Sequence, residues 1–282
     1  MAATPSDWLE IRRGDAPLVV SIPHTGITIP AEYQAGLVSP WLARKDCDWW
    51  IETLYDFAAK LDATVIRTSI SRTVIDVNRE PSGASLYPGQ FTTGLCPTTT
   101  FDGEALYQDG LAPDERSIAQ RKQTYFDPYH AALRTEIMRL RASCPSVVLY
   151  DCHSIRSVIP SLFEGTLPHF NIGTNAGASC DPKLTAEIAA HCAASGMSHV
   201  VNGRFKGGTI TRTYGDPSNG VHAVQMELAC RAYIDEPLGP VSEAHWPTPY
   251  EAAYAAPTRA TLTLILQTCR AFALSQNIQE KP

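Results

Sequence analysis

The stretch Ser146-Val-Val-Leu-Tyr-Asp-Cys-His-Ser154 decides the fold that we expect for this chain. Four consecutive apolar or aromatic residues occupy positions 147–150, shortly after Pro145, and this pattern is typical of a strand buried on both faces of a sheet. In open α/β sheets, ligands bind just beyond the carboxyl ends of such strands, which is where His153 lies. Asp151 points to the same side and is placed to accept a hydrogen bond from the second imidazole nitrogen, as in metal-ligating histidines. The alternative is a structural histidine satisfied by a neighbour.

The composition is typical of a globular protein. It has 282 residues, of which 44% are hydrophobic and 18% are charged, and its formal charge is -6. This length is enough to bury a large core, and we expect one domain. The chain lacks the basic excess of a nucleic-acid-binding protein, so we expect no nucleic acid partner. A local group of arginines can still favour an anionic substrate.

The cysteines and the apolar runs bear on location. Eight cysteines occur singly, without a Cys-x-x-Cys pair, which is typical of reduced, packed thiols. Cys152 is adjacent to His153 but points to the opposite face of the strand, which argues against a thiol nucleophile. The sequence opens without a basic and then apolar segment, and no run approaches the roughly 18 apolar residues of a membrane span. We expect a cytoplasmic protein with no membrane partner.

A second strand delivers a second histidine. The β-rich run 16–22 stops at Pro23-His24-Thr25-Gly26, where proline and glycine predict a turn just outside the sheet. The other predicted elements are strands at 64–68, 170–173 and 222–228, and helices at 113–142 with a break at Pro128, from Asp181-Pro182 onward, and at 257–275. This alternation predicts an α/β fold, a mixed and mostly parallel sheet with helices on both faces.

Three carboxylates are candidates for chemistry. Asp46 and Asp48 precede a run with helical spacing that continues to Leu61. Either one can cap that helix, and either can supply a carboxylate to a metal. Glu227 lies in a mostly apolar strand, where a carboxylate is costly unless it is paired or functional. Burial would raise the pKa of Glu227 toward general acid–base use.

Two segments concentrate arginines. The segment 71–79 has strand-like alternation, and Arg72 and Arg79 carry planar forks that match a carboxylate, with the Asn78 amide beside them. The alternative is an edge strand with solvated arginines. The glycine-rich segment 202–215 matches neither a Walker loop nor a dinucleotide fingerprint. With Arg204, Lys206 and Arg212 it is typical of an anion-binding flap. The long, irregular segment 80–113 predicts an ordered lid or rim.

Two strand-end histidines, an aspartate near a helix start and a glutamate in a strand are the components of a hydrolytic zinc site. Such a site keeps three protein ligands and an open position for water, whose pKa falls to about 7 on the metal. Their separated spacing is weak support alone, because no His-Glu-x-x-His helix occurs.

Seven segments of the sequence together resemble the N-formylglutamate amidohydrolase family. They are Val20-Ser-Ile-Pro-His-Thr-Gly26, Asp46-Cys-Asp-Trp49, Ser71-Arg-Thr-Val-Ile-Asp-Val-Asn-Arg79, Thr92-Thr-Gly-Leu95, Asp151-Cys-His-Ser-Ile-Arg156, Asn202-Gly-Arg-Phe-Lys-Gly-Gly208 and Gln225-Met-Glu-Leu228. The resemblance covers nearly the whole chain, and so many segments in this order are highly specific. More remotely, two of them look like segments of zinc carboxypeptidases and aspartoacylases.

The resemblance implies a fold and an activity. The fold is phosphorylase/hydrolase-like α/β, with residues 1–282 as one N-formylglutamate amidohydrolase-like catalytic domain. The activity is metal-dependent hydrolysis of N-formyl-L-glutamate to formate and L-glutamate in histidine degradation. The expected partner is therefore a small-molecule N-formyl amino acid.

The resemblance also implies site residues, with one departure. Those relatives take two ligands from a His-x-x-Glu segment, whereas Ile27 stands three residues after His24. We therefore expect the metal to be held by His24, His153 and Asp48, with Asp48 preferred to Asp46. Zn²⁺ is the expected ion, and the same ligands accept Co²⁺, Mn²⁺ or Fe²⁺. The expected general base is Glu227, and the expected substrate-binding residues are Arg72, Asn78, Arg79, Arg156, Arg204 and Arg212.

Two alternatives stay open at this point. A zinc-dependent amidohydrolase or carboxypeptidase-like enzyme acting on another N-acyl amino acid or a short peptide would use the same site. A non-catalytic binder of acidic metabolites would keep the arginines without turnover. The sequence does not define the oligomeric state.

Overall fold

Seven strands form one sheet, and most of them coincide with the hydrophobic runs of the sequence. In the computed structural model, which describes residues 7–82, 93–237 and 239–275, the strands are β1 Leu9–Arg12, β2 Leu18–Ile22, β3 Thr64–Thr68, β4 Val147–Ile155, β5 Phe170–Gly173, β6 His199–Val201 and β7 Val221–Ala229. The predicted strands at 64–68 and 170–173 have these bounds.

The sheet is mixed and mostly parallel, as predicted. Its order is β1-β3-β2-β4-β7-β5-β6. Strands β3, β2, β4 and β7 run parallel to one another, and β5 and β6 are parallel to each other. Strand β1 is antiparallel to β3, and β5 is antiparallel to β7. The carboxyl ends of β2 and β4 therefore meet at one edge, which brings their histidines together.

Helices cover both faces of the sheet. The α-helices are α1 Ala31–Gln34, α2 Leu42–Lys45, α3 Ile51–Leu54, α4 Glu115–Arg121, α5 Asp127–Arg141, α6 Pro182–Ala194, α7 Thr209–Tyr214 and α8 Ala252–Ser275. Shorter 3₁₀ segments occur at Asp56–Leu61, Asn175–Gly177, Pro217–Asn219 and Cys230–Ala232, and a π-helical turn at Lys122–Phe126 joins α4 to α5. Residues of α6 and α8 share one apolar cluster, and residues of α5 belong to a second. Within the described ranges, no helix is both long enough and apolar enough to cross a bilayer.

Strand β4 is the centre of the core. All nine of its residues are buried. Alternate side chains enter opposite clusters, because successive strand residues face opposite sides of the sheet: Val148 and Tyr150 pack with α8, whereas Val147 and Leu149 pack with α5. The predicted doubly covered strand is confirmed.

Two predicted elements are wrong in form. The helix expected to continue to Leu61 is divided into α2, α3 and a 3₁₀ segment, and Trp50 between them has a left-handed φ of 64°. This break leaves Asp48 in a turn, where its backbone N–H donates to His24 O at 3.0 Å. The segment 71–79 is a series of buried turns and not an edge strand, since the N–H groups of Val74 and Ile75 both donate to Ser71 O.

Two predicted helices differ only in detail. The break expected at Pro128 is the π-helical turn that ends at Phe126, two residues earlier. A wider turn at this point fits a residue that cannot donate a backbone hydrogen bond. The last helix begins at Ala252 and includes Pro257 in its second turn.

Candidate metal centre and active site

His24 stands on the turn that follows β2, and its ring is oriented by a carboxylate. Its Nε2 lies 2.7 Å from Asp76 Oδ1. The side chain is buried, and its Nδ1 has no hydrogen-bond partner within the described residues. A buried polar nitrogen without a partner is unfavourable unless another group occupies the space that it faces. The Nδ1 lone pair of His24 is thus directed to the interior of the site.

His153 lies near the end of β4 with the same arrangement. Its Nε2 is 2.9 Å from Asp151 Oδ2, so the predicted contact between these two residues is present. Its Nδ1 faces Asp48 Oδ2 at 3.2 Å. The two imidazole rings lie 4.8 Å apart between centroids. Each histidine therefore has a carboxylate on its outer nitrogen and directs Nδ1 toward Asp48.

Asp48 completes the cluster. Its Oδ2 accepts a hydrogen bond from the backbone N–H of Ser154 at 3.0 Å and lies 3.7 Å from His24 Nδ1. Its Oδ1 is buried without a hydrogen-bond partner in the described part of the chain. The other candidate, Asp46, points away: it accepts from the Phe101 N–H and pairs with Arg156. The structure groups Asp48, and not Asp46, with the two histidines.

The cluster fits a divalent cation. One ligand atom from each of His24, Asp48 and His153 lies within 4.8 Å of the others. A tetrahedral cation about 2.0–2.2 Å from its ligands holds them about 3.4 Å apart. The separations of 3.7 Å and 3.2 Å from Asp48 Oδ2 to the two Nδ1 atoms are close to that value. The carboxylates on both outer nitrogens are the usual companions of metal-ligating imidazoles.

The protonation of the cluster agrees with its geometry. Burial alone would lower the pKa of His153, but Asp151 and Asp48 outweigh it and hold that pKa well above its ordinary value. Burial and the Arg72 charge lower the pKa of His24. For Asp48, burial opposes ionisation, but the two histidines and Arg72 lower its pKa overall. Asp48 is thus held as a carboxylate beside the two imidazoles.

A cavity opens beside this cluster. It contains about 630 Å³ of empty space, including solvent at its mouth. The described residues that line it are His24, Arg72, Asp76, Asn78, Arg79, Thr93, Phe101, His153, Ile155, Leu162, Arg204, Phe205, Gly208, Gln225 and Glu227. Three guanidinium groups and two imidazoles face it, which favours a small anionic ligand.

Glu227 lies in this cavity on β7, directly across the ladder from His153. It is buried, and burial raises its pKa to about 8 against the opposing influence of His153. A carboxylate whose pKa lies near neutrality is suited to exchange protons with a substrate. The position and the raised pKa of Glu227 are those that general acid–base chemistry requires.

The six residues expected to bind substrate lie in different places. Arg72, Arg79 and Arg204 line the cavity, as does Asn78. Arg72 also donates to Asp76 Oδ2 at 2.7 Å, and Arg79 Nη2 donates to Thr93 Oγ1 at 3.0 Å. The remaining two, Arg156 and Arg212, are not among its lining residues in the described structure.

Asn78, Arg156 and Arg212 also hold other parts of the protein in place. The Asn78 amide donates to Asp151 Oδ2 at 3.2 Å and accepts from the Ile210 N–H at 2.8 Å. Arg156 pairs with Asp46 and Asp102. Arg212 lies in α7 and donates to Gly207 O at 2.9 Å. The segment expected to be a flap is thus partly helical.

Asp76 and Phe101 are among the residues of the site that sequence reasoning missed. Asp76 orients His24 although the two residues are 52 positions apart in the chain. The only signal for it is the general rule that a metal-ligating histidine binds a carboxylate through its other ring nitrogen. Phe101 lies with its ring 4.9 Å from the Arg72 guanidinium carbon. Phe101 belongs to the segment that was predicted to be a lid or rim, and both Phe101 and Tyr107 of that segment are buried. Tyr87, Phe91 and Thr92 of that prediction lie outside the described residues.

Fold and site together define an α/β protein with a buried centre of two histidines and one carboxylate at the carboxyl edge of a mostly parallel sheet. The chain belongs to the N-formylglutamate amidohydrolase family, whose sequence profile matches residues 16–234. It is 46% identical over 265 residues to an N-formylglutamate deformylase of Pseudomonas aeruginosa, covering 94% of this chain and 96% of that protein. An N-formylglutamate deformylase of Pseudomonas putida is 45% identical, with the same coverage of both chains, 94% and 96%.

Solved structures share the fold. An N-formylglutamate amidohydrolase from Ralstonia eutropha superposes with a TM-score of 0.75 at 20% identity, covering 96% of this chain and 99% of that one. A protein from Agrobacterium tumefaciens gives a TM-score of 0.68 at 18% identity, with 96% of each chain covered. The single-domain α/β class predicted from the sequence is confirmed by this likeness.

Proposed function

We propose that this protein is a metal-dependent amidohydrolase that converts N-formyl-L-glutamate and water to formate and L-glutamate. One observation carries the proposal. A buried cluster of metal-ligand residues and a carboxylate suited to acid–base chemistry face the same arginine-lined cavity. Relatives that are 46% and 45% identical are N-formylglutamate deformylases, which supports this choice of substrate.

In this proposal His24, Asp48 and His153 hold the ion, with Zn²⁺ expected and Co²⁺, Mn²⁺ or Fe²⁺ as substitutes. When bound, such an ion lowers the pKa of water and polarises a carbonyl oxygen. Asp76 and Asp151 keep Nε2 protonated on the two imidazoles, so that both Nδ1 lone pairs remain available.

Glu227 moves the proton. It takes a proton from water as the water oxygen bonds to the formyl carbon, and it returns that proton to the amide nitrogen as the C–N bond breaks. A group that must first accept and then donate works best with a pKa near the operating pH. The raised pKa of Glu227 meets this requirement.

Arginines of the cavity bind the carboxylates of the substrate. Arg79 and Arg204 line the cavity, and Arg72 lies between the cluster and Phe101. Their charges offset the two negative charges of formylglutamate on its entry. Asn78, Arg156 and Arg212 are proposed to bind substrate as well, and their side chains also hold other parts of the protein.

The proposal extends to the setting of the enzyme. We propose that residues 1–282 form one catalytic domain and that the protein acts in histidine degradation in the cytoplasm. Eight free cysteines, seven of them buried, fit a reducing compartment.

The test is formate release from N-formyl-L-glutamate by the purified protein, before and after chelation and again with Zn²⁺ restored. We expect hydrolysis that is lost with the metal and regained with it. Hydrolysis of N-acetyl or larger N-acyl amino acids in preference to the formyl compound would move the substrate assignment to those compounds. Binding of formylglutamate without turnover by the metal-loaded protein would favour a non-catalytic binder.

Replacing the proposed base tests its role. Glu227→Gln keeps the shape of the side chain but cannot accept a proton, so we expect kcat to fall by about 10²–10⁴-fold. The metal content, measured on the same preparation, is expected to be unchanged. Turnover close to that of the wild type would remove Glu227 from the mechanism.

A further inference from the structure

Gln225 occupies a position that the proposed chemistry leaves unexplained. It lies on β7 two residues before Glu227, so the two side chains face the same side of the sheet. Both side chains are buried, and both line the cavity. A buried amide in a reactive cavity needs partners for its oxygen and its nitrogen.

The hydrogen bonds of Gln225 define which way its amide points. The backbone N–H of Gly208 donates to Gln225 Oε1 at 2.7 Å. A backbone N–H can only donate, so the atom that faces Gly208 must be the oxygen. The Nε2 group is therefore directed at Glu227 Oε2, to which it donates at 3.1 Å.

Gly208 is itself held in place. A Cβ atom on Gly208 would lie 2.6 Å from the amide atoms of Asn78, so the backbone packs directly against that side chain. The following residue, Thr209, starts α7 and donates its N–H to Asn78 O. The N–H that orients Gln225 thus belongs to a tightly packed point of the site.

The geometry points to Gln225 as a positioning residue that acts through Glu227. By holding Oε2, it directs Oε1 of the same carboxylate toward the reacting water. In the part of the chain that the structure describes, Glu227 accepts one side-chain hydrogen bond, and Gln225 provides it. The backbone of Glu227 is fixed separately, since Asn171 donates to its carbonyl oxygen at 3.0 Å. This inference rests on the proposed function, because it assumes that Glu227 is the base.

A double-mutant cycle tests the inference. Gln225→Met removes both hydrogen bonds at similar side-chain length, and Gln225→Leu is the second variant should the first fold poorly. We expect kcat for N-formyl-L-glutamate to fall by about 10- to 100-fold, the effect of losing a hydrogen bond to a charged group, with KM within about 2-fold of the wild type. In a Glu227→Gln background, the same change should lower kcat by no more than about 2-fold, because a residue that acts through the base loses its effect without the base.

The matched control is Gln34→Met. Gln34 lies in α1, outside the cavity lining, and the change removes its side-chain hydrogen bond to Ile29 O. We expect its kcat to equal that of the wild type, and metal content and thermal unfolding are measured for every variant. An unchanged kcat in Gln225→Met, or losses that multiply in the double variant, would overturn the inference while the proposed function stands. A metal-loaded wild type that releases no formate would overturn both.

Discussion

At the scale of the residue, the outer nitrogens of His24 and His153 decide the site. Each is held by a carboxylate, Asp76 in one case and Asp151 in the other. The second contact was predictable because Asp151 and His153 are two positions apart in one strand. The first was not, since no local rule relates residues separated by 52 positions. The chemistry of metal-ligating imidazoles indicates the kind of partner, and only the fold identifies Asp76.

Replacing these two carboxylates should weaken metal binding to different degrees. Asp151→Asn leaves an oxygen that can accept from Nε2 but removes the charge, so we expect about 10- to 100-fold weaker affinity for Zn²⁺. Asp76→Asn should be more damaging, because Asp76 also pairs with Arg72 at 2.7 Å and Arg79 at 3.2 Å. Competition against chelators of graded strength measures the affinity. Asp114→Asn, at the exposed N-cap of α4, is the control. Equal affinity of Asp151→Asn and the wild type would contradict the assigned role.

Gly208 gives a second prediction at this scale. In Gly208→Ala, the new methyl group would meet the Asn78 amide and displace it from Asp151. We expect kcat to fall by about 10-fold or more, as for misplacement of a catalytic group. Gly94→Ala is the matched control, since its Cβ would meet nothing closer than 3.9 Å in the described structure. Steady-state kinetics of both variants, with the metal content, would check this. Equal activity of the two would argue against close packing at Gly208.

At the scale of the element, a short hairpin forms one wall of the cavity. Thr99 and Ala105 are bridged, and Phe101 near the tip lies over Arg72. Buried Lys45 contacts Asp102 and Glu104, each at 2.5 Å. Arg156 joins the same group through Asp102 at 2.8 Å. The hairpin is therefore fastened by ion pairs whose cations are shielded from solvent.

The two acidic residues of this hairpin should contribute unequally to stability. Asp102 contacts both buried cations, and its side chain is 30% exposed, whereas Glu104 contacts one and is 43% exposed. We expect Asp102→Asn to lower the free energy of unfolding by about 1–3 kcal/mol and to raise KM, because Phe101 would lose its fixed position. Glu104→Gln should cost less than about 1 kcal/mol. Urea unfolding and steady-state kinetics measure both effects. The reverse order of the two variants would contradict this account.

Elements were predictable from the sequence where burial was periodic. Strands β3 and β5 and the N-cap at Asp181 agree with their predictions because period, β-branching and capping chemistry are local. The helix that should have continued to Leu61 was wrong because Trp50 adopts a left-handed conformation that no local preference favours. Likewise, alternation within 71–79 indicated a strand, whereas packing of the whole segment required turns. Tertiary contacts override local preference at the site itself.

At the scale of the whole molecule, each face of the sheet holds a buried histidine that is not part of the cluster. His130 on α5 stacks on Phe126, and His222 on β7 meets the ring of Phe272 from α8. Burial lowers the pKa of both imidazoles, and neighbouring groups compensate only partly. Burial thus favours the neutral form of both imidazoles in the folded state.

Acid should therefore destabilise the fold through these histidines. Their pKa values lie below the ordinary 6.5 when folded, so the unfolded chain binds protons more readily. The stability that they contribute is present above pH 6.5 and is lost as the pH falls through their folded values. We expect the urea midpoint of the wild type to fall relative to that of His222→Gln between pH 7.5 and pH 5.5, because only the wild type carries the buried imidazole of His222. Comparison of this variant with the wild type, both chelated, separates the effect from metal release. The same pH dependence of the urea midpoint in His222→Gln and in the wild type would contradict the burial effect.

The central pair of parallel strands also has a consequence for folding. His24 follows β2 and His153 lies in β4, so these ligands meet only after a chain segment of more than a hundred residues has closed and the two strands have paired. Closing so large a loop is entropically unfavourable and slow compared with local helix formation. The unfolded chain therefore contains no preformed metal site, and an ion bound by these residues would stabilise the native state selectively. During refolding, occupancy of the site would report that the centre of the sheet has assembled.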